Sequence, residues 1–506
     1  MTDAWDVVVV GAGTAGCPLA ARLADAGRRV LLLEAGADHA RPDDFPEVLR
    51  DPARMAAAVP GAPANWDLVG TLTPGLTVRV PRGRVVGGSS ALNAGYFVRA
   101  TPADADGWAA AGNDLWSYDR VLPAFRRLEA DADFGDRPAH GAEGPMPVAR
   151  VADPGPLAEA FAAGAAELGY PDEPDKNAGS APGYGPVPLT TAGGVRVNTA
   201  MAYLSPRRGR PELTVRGGVH VRRVVIGRGR AVGVETADGV VRAGEVVLSA
   251  GAVGSAHLLL LSGIGPADAL RAAGVPVVAD VPGVGADFTD HPNVYVGYRP
   301  ARPVPAGRLP LHGVLNATSD GASGPGDLEL LPWLASFSRI TGGPSGAPDD
   351  ELAVGVGLMR EDGRGRLTLD GADPQRPPRL DYGYLTAESD RRRLREGVRL
   401  AVDLLRMQAL ASFVAERTGP TDEVLAANRE LDDWIRQHLT TAVHLSGTAR
   451  MGRDTDPGAV VDQELRVRGV AGLRVVDTSV LPQTPTRGPA ATAVMLGERA
   501  AELMLA

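Results

Sequence analysis

Asp6-Val7-Val8-Val9-Val10-Gly11-Ala12-Gly13-Thr14-Ala15-Gly16 is the stretch that decides the fold. A short β-branched run ends in Gly-x-Gly-x-x-Gly; Cys17 to Ala26 then reads as a helix and Arg29 to Leu33 as a second strand. Strand, glycine turn, helix and strand form a βαβ unit of the kind that binds a dinucleotide. Gly11 permits the tight turn, Gly13 lets the backbone approach a pyrophosphate, and Gly16 lets helix and strand pack closely. The helix start offers N–H groups and the positive end of its dipole to the phosphates. Glu34, ending the second strand, is placed to accept hydrogen bonds from a ribose, and an acid there disfavours a 2′-phosphate. A chain with 64 glycines produces such triplets by chance; the position between strand and helix gives this one its meaning. The turn by itself does not separate FAD from NAD.

Around this unit lie 506 residues, more than one hydrophobic core organises, so two joined domains with a large site between them are expected. Hydrophobic residues at 44% and charged residues at 22% are ordinary globular usage, which excludes disorder and coiled coil. A net charge of −9, from 52 Lys plus Arg against 61 Asp plus Glu, gives no basic face for nucleic acid. Met1 to Asp6 lacks the basic and then apolar start of a secretory signal, so a cytoplasmic location is the expectation. No apolar run reaches the roughly 20 residues that span a bilayer, which leaves peripheral membrane association open. Cys17 is the sole cysteine; it excludes disulfides and cysteine metal sites within the chain and reads as a small packing residue. The eight histidines show no metal-ligand spacing.

Further along, Asn65 to Gly95 is too poor in periodicity for a regular element and reads as a functional loop. Asp119 to Glu129 and Asp153 to Gly169 read as helices, and Leu213 to Val215, Val219 to Ile226, Ala231 to Glu235 and Glu245 to Ser249 as strands. Leu258 to Leu261 opens another apolar element. Leu352 to Leu358 and Gly365 to Leu369 suggest a separate, mostly antiparallel sheet. Asp390 to Leu405 is an amphipathic helix, and a strand at Leu473 to Val476 leads to a last helix from Ala491.

Gly83-Arg84-Val85-Val86-Gly87-Gly88-Ser89-Ser90-Ala91-Leu92-Asn93, continued by Phe97 and Ala100, resembles the first signature of the glucose–methanol–choline oxidoreductases. A second signature is approximated by residues 251–265, with Ala256 where Pro or Ser is usual. Asp290-His291-Pro292, His444 with Gly447-Thr448 and Arg450-Met451-Gly452, and Val475-Val476-Asp477 with Ser479 and Pro482 follow in the family's order. The resemblance implies an α/β chain with a Rossmann-like FAD-binding domain of residues 1–130, 196–295 and 445–506. An interleaved α+β substrate domain of residues 131–195 and 296–444 would carry the antiparallel sheet. It implies FAD held by Gly11, Gly13, Thr14, Ala15, Gly16, Glu34 and Ala35, by Arg84, Gly87, Gly88, Ser89, Asn93, Ala94 and Gly95, by Val221 on the adenine side, and by Asp477, Ala491 and Thr492. Asn93 matches the residue beside the reactive edge of the flavin. Members with covalent flavin carry a His directly before that Asn; Leu92 stands there, so the FAD is expected to be dissociable.

A closer resemblance is to the mycofactocin-associated branch, on Gly95-Tyr96-Phe97, Asp131-x-Asp133-Phe134, His140-Gly141-x-x-Gly144-Pro145-Met146-Pro147-Val148 and Arg487-Gly488-Pro489. It implies an alcohol-bearing or reduced redox cofactor as substrate and a respiratory carrier, rather than oxygen, as electron acceptor.

Oxidising an alcohol with flavin needs a hydride acceptor, flavin N5, and a base for the hydroxyl proton, a task imidazole suits near neutral pH. His444 matches the family's catalytic histidine. The residues alone would read it as structural. His291 reads as a loop residue near the flavin domain, and His39, His140, His220, His257, His312 and His438 as surface or packing positions. The family's second His or Asn falls on Ala490, which cannot donate, accept or shuttle a proton. That departure keeps two alternatives open: a non-oxidative lyase or decarboxylase on the same fold, and a catalytically weakened FAD-binding protein.

Overall fold

The computed structural model describes residues 5–179, 181–304, 309–342 and 350–506; Met1 to Ala4 of the N-terminal run lie outside the described residues. Val7, Val8 and Val9 are fully buried, as an unbroken β-branched run should be in a parallel strand covered on both faces. Trp5–Val10 pairs in parallel with Val30–Leu33 on one side and Gly239–Leu248 on the other. Leu213–Arg216 extends the sheet beyond Val30–Leu33, and Leu473–Val475 lies along the second half of Gly239–Leu248. The first half of Gly239–Leu248 leaves this parallel array to pair antiparallel with Arg230–Thr236, which in turn pairs with Arg223–Gly227. The helix Gly16–Asp25 follows the glycine turn as its patterning requires.

The second large sheet is antiparallel throughout, in the order Val414–Arg417, Pro292–Pro300, Leu352–Leu358, Leu328–Trp333, Gly313–Ala317 and Tyr184–Pro186, with Thr440–Thr441 beside Pro292–Pro300. Its strands alternate. Leu328, Leu330, Val354 and Val356 are buried on the face that carries the helix Glu388–Leu405, whose Gly397 sits against Val356 and Leu328. Asn293, Tyr295, Glu329, Leu331, Trp333, Gly355 and Gly357 turn the other way, into a cavity.

Three expectations need correction. Residues 65–95 include a strand pair, Leu68–Thr73 with Leu76–Val80. Its inward positions are Leu68, Gly70 and Leu72; at Gly70 a Cβ would meet the Tyr382 ring at 2.5 Å, while the apolar Val69 is exposed, so the alternation is hidden in the letters. Leu258 to Leu261 is the last turn of the helix Gly251–Leu261, buried on all sides and therefore without amphipathic period. Arg366–Thr368 belongs to a four-stranded sheet with Arg379–Asp381 and the Leu68–Val80 pair, apart from the large antiparallel one.

Candidate active site

The carboxyl ends of Trp5–Val10 and Val30–Leu33, with Ser249 and Asp477 just past two further strands, open into one cavity of about 910 Å³ that runs to the antiparallel sheet. Gly11, Gly13, Thr14, Ala15, Glu34, Ala35, Gly88, Ser89, Asn93, Ala94, Val221, Asp477, His444 and Ala490 all line it. Six expected contacts do not line it. A Cβ on Gly16 would lie 2.0 Å from the Gly11 carbonyl, so its place is between helix and turn. Arg84 lies over the Trp66 ring at 5.0 Å. Gly87 donates its N–H to the Ala12 carbonyl at 2.7 Å, and Gly95 donates to Asn93 Oδ1 at 3.0 Å. Ala491 is fully buried, and Thr492 Oγ1 accepts from the Ala100 N–H.

The cradle fits an extended dinucleotide. A Cβ on Gly13 would meet nothing nearer than 3.9 Å, so its missing side chain leaves backbone bare to the cavity at the start of the helix. Glu34 accepts the Ala12 N–H at 3.1 Å and the Gly36 N–H at 2.9 Å; burial pushes its carboxyl up to about 7 against those bonds. Asp477 accepts from Ser255 Oγ and the Gly251 N–H through Oδ2 and from the Ser479 N–H through Oδ1, which ties the last strand to the start of Gly251–Leu261.

His444 is half-buried at the wall. Burial, with the Arg82 charge adding to it, pushes its imidazole down to about 3, so the ring is neutral at working pH. Its backbone is tightly fixed: the N–H donates to Asp290 Oδ1 at 2.8 Å, Thr441 Oγ1 donates to Asp290 Oδ2, and Arg82 donates to the Val443 carbonyl at 2.9 Å. Val443 takes a φ of 65°, rare for a β-branched residue, immediately before the histidine. The segment Gly488 to Ala490 passes the ring: a Cβ on Gly488 would lie 3.5 Å from His444 Nε2. Ala490 opens the helix Ala490–Leu505 and adds only a methyl group to the wall.

Sequence reasoning missed much of the far wall. Tyr96, Tyr295, Trp333 and Phe337 make an aromatic chamber there, with Tyr96 Oη donating to Glu329 Oε2 at 3.2 Å. Burial raises the Glu329 carboxyl, opposed by the charge of Arg487. The alternation of the antiparallel strands was the signal that could have found Tyr295, Glu329 and Trp333, whereas Phe337 stands on the short helix Phe337–Thr341 and Tyr96 in a loop. His220 and His257, expected to pack or face solvent, also line the cavity.

His140 is buried in a cluster of charges. Its Nδ1 lies 2.9 Å from Glu129 Oε1 and its Nε2 2.9 Å from Asp175 Oδ2. Arg99 and Arg150 already pair with Glu129 and Asp131, so these carboxylates are committed to ion pairs, although with His140 they are close enough together to hold a metal.

A nucleotide cradle and an aromatic chamber that share one cavity, with a histidine on its wall, make the arrangement of a dinucleotide-dependent oxidoreductase. The chain matches the GMC oxidoreductase family models over residues 5–293 and 361–497 and belongs to that family; it is an FAD-dependent oxidoreductase. It is 42% identical to an uncharacterized GMC-type oxidoreductase in the thcA 5′ region of Rhodococcus erythropolis, over 99% of each chain. It is 34% identical to the oxygen-dependent choline dehydrogenase of Photobacterium profundum, over 100% of this chain and 94% of that one. Among solved structures, pyridoxine 4-oxidase from Mesorbium loti superposes with a TM-score of 0.90 at 33% identity over 98% of each chain.

Proposed function

We propose that this protein oxidises a small-molecule alcohol, with FAD bound noncovalently along the cradle and His444 as the base. The observation that carries the reading is the place of His444 on the wall of the cavity that joins cradle and chamber; burial holds its imidazole neutral. Bound FAD would supply the hydride acceptor, at N5. Gly13 and the helix start would receive the pyrophosphate and Glu34 a ribose, and Asn93 would lie beside the flavin, as the family resemblance implies. The aromatic chamber excludes water and orients the substrate, and His444 takes the hydroxyl proton. The discontinuous FAD and substrate domains, divided as the family resemblance implies, are supported by the two separate sheets.

The finer reading places the chain in the mycofactocin-associated branch, reoxidising the reduced redox cofactor and passing electrons to a respiratory carrier as a dehydrogenase. It rests on the branch motifs, of which Tyr96 lines the chamber and Arg487 is buried. Ala490 favours a second reading, a non-oxidative lyase or a weakened flavoprotein, because the position where the family resemblance expects a second His or Asn adds only a methyl group to the wall. Anaerobic mixing with alcohols and reduced redox cofactors, followed by flavin absorbance, separates them. Bleaching by an alcohol is expected. Product formed without net electron transfer would establish the lyase, and neither change with any substrate would leave a binding protein.

A further inference from the structure

His291 and His444 meet edge to face, ring centroids 5.1 Å apart, with Nδ1 against Nδ1 at 2.9 Å. Between two neutral imidazoles, one of those nitrogens must carry the proton and the other a lone pair. The surroundings of His291 decide which. Its ring is wholly buried, and its Nε2 has no partner of strict hydrogen-bond geometry. The backbone group facing the ring is Pro485, which offers a carbonyl and no N–H. With Nδ1 taken up by His444, Nε2 is the ring nitrogen left to meet that carbonyl, and a carbonyl favours an N–H over a lone pair there. His291 therefore carries its proton on Nε2 and accepts at Nδ1.

We infer that His291 is a positioning residue for His444: by accepting the His444 Nδ1–H it holds the tautomer whose Nε2 is unprotonated and faces the cavity. The inference rests on the reading of His444 as the base. The opposite tautomer would present an N–H to the substrate hydroxyl and could not take its proton. The pair is held from behind by one carboxylate, since Asp290 Oδ1 accepts the backbone N–H of His291 at 2.7 Å and the backbone N–H of His444 at 2.8 Å. Neither ring is inclined to take a second proton. Burial lowers both, the Arg82 charge adds to this at His444, and the two rings would repel each other if charged.

Two experiments on the FAD-loaded enzyme test this. Long-range ¹H–¹⁵N correlation on histidine-labelled protein reads the tautomers directly, and needs no substrate. The expected pattern is a protonated Nδ1 and bare Nε2 for His444, with the reverse for His291; a protonated Nε2 on His444 overturns the inference. Rapid mixing then compares His291→Asn, whose amide oxygen can accept where Nδ1 stood, with His291→Leu, which has no acceptor. The Asn variant should keep the limiting rate of flavin reduction within a few-fold. The Leu variant should lose about 10–100-fold, the size of a lost orientation, with FAD content and the substrate concentration for half-maximal rate unchanged. Equal rates in the two variants overturn the inference. His444→Ala, measured alongside, keeps the two readings apart: full activity there removes the base, while the tautomer pattern still decides the pairing.

Discussion

Gly13 and Gly16 stand in the same turn, yet a side chain would do different damage at each. At Gly16 a Cβ would collide with the Gly11 carbonyl and break the turn itself, whereas at Gly13 it would project freely into the cavity. Gly13→Val should therefore fold and melt as the FAD-free native protein does, but purify without flavin, because the isopropyl group occupies the pyrophosphate position. The native protein, with Leu92 in place of a linking histidine, should release free FAD on denaturation. Flavin retained by the variant, or precipitated with the native chain, would contradict these assignments. Ala490 is the other informative position. Restoring an imidazole with Ala490→His should raise the rate of flavin reduction, on the order of 10²-fold if it supplies an orienting or acid–base partner; a few-fold change would indicate altered packing alone. The cradle glycines and Glu34 were legible because they lie within one local motif, whereas His444 was singled out by the family resemblance alone. His291 was not legible, because the ring that gives it a role is 153 positions away.

Among the elements, legibility followed periodicity. The valine strand, the helix after it and Leu352–Leu358 declare themselves by composition and length, while Gly251–Leu261 and Leu68–Thr73 do not, the first being apolar all round and the second putting a glycine inward. The charge cluster around Glu129–Asp131 was invisible in the sequence, since it joins Arg99, Glu129–Asp131, His140, Arg150 and Asp175 from five separate segments. It should make stability depend on pH. Burial alone would lower the His140 imidazole, but the hydrogen bonds it donates to Asp131, Asp175 and Glu129 raise it to about 10. A pKa raised on folding contributes stability that is complete below the unfolded value near 6.5 and is lost as pH rises through about 10. Measured by thermal unfolding, the native protein should exceed His140→Gln by a few degrees, roughly 2–4 °C per kcal/mol for a sizeable domain, near pH 6. That gap should close as pH passes 10. A gap independent of pH would mean that His140 contributes packing and not charge.

At the scale of the molecule, the site belongs to neither sheet alone. The parallel sheet supplies the cradle and the antiparallel sheet supplies the chamber, and the chain returns at its C-terminal end to place His444 and Ala490 at their junction. Glu498 on the last helix holds this closure from behind, accepting from Arg22, Arg127 and Tyr203. The family motifs made the cradle readable in one dimension; the chamber is assembled by strand alternation across a sheet whose pairing the sequence does not state. None of the described helices is long and apolar enough to cross a membrane. The central claim is that His444 takes the proton as substrate electrons pass to the flavin. Anaerobic rapid mixing of native protein and His444→Ala with the same oxidisable alcohol tests it most directly. The variant should bind FAD as the native protein does and reduce it about 10²–10⁴-fold more slowly. Equal reduction rates in the two proteins would contradict the account.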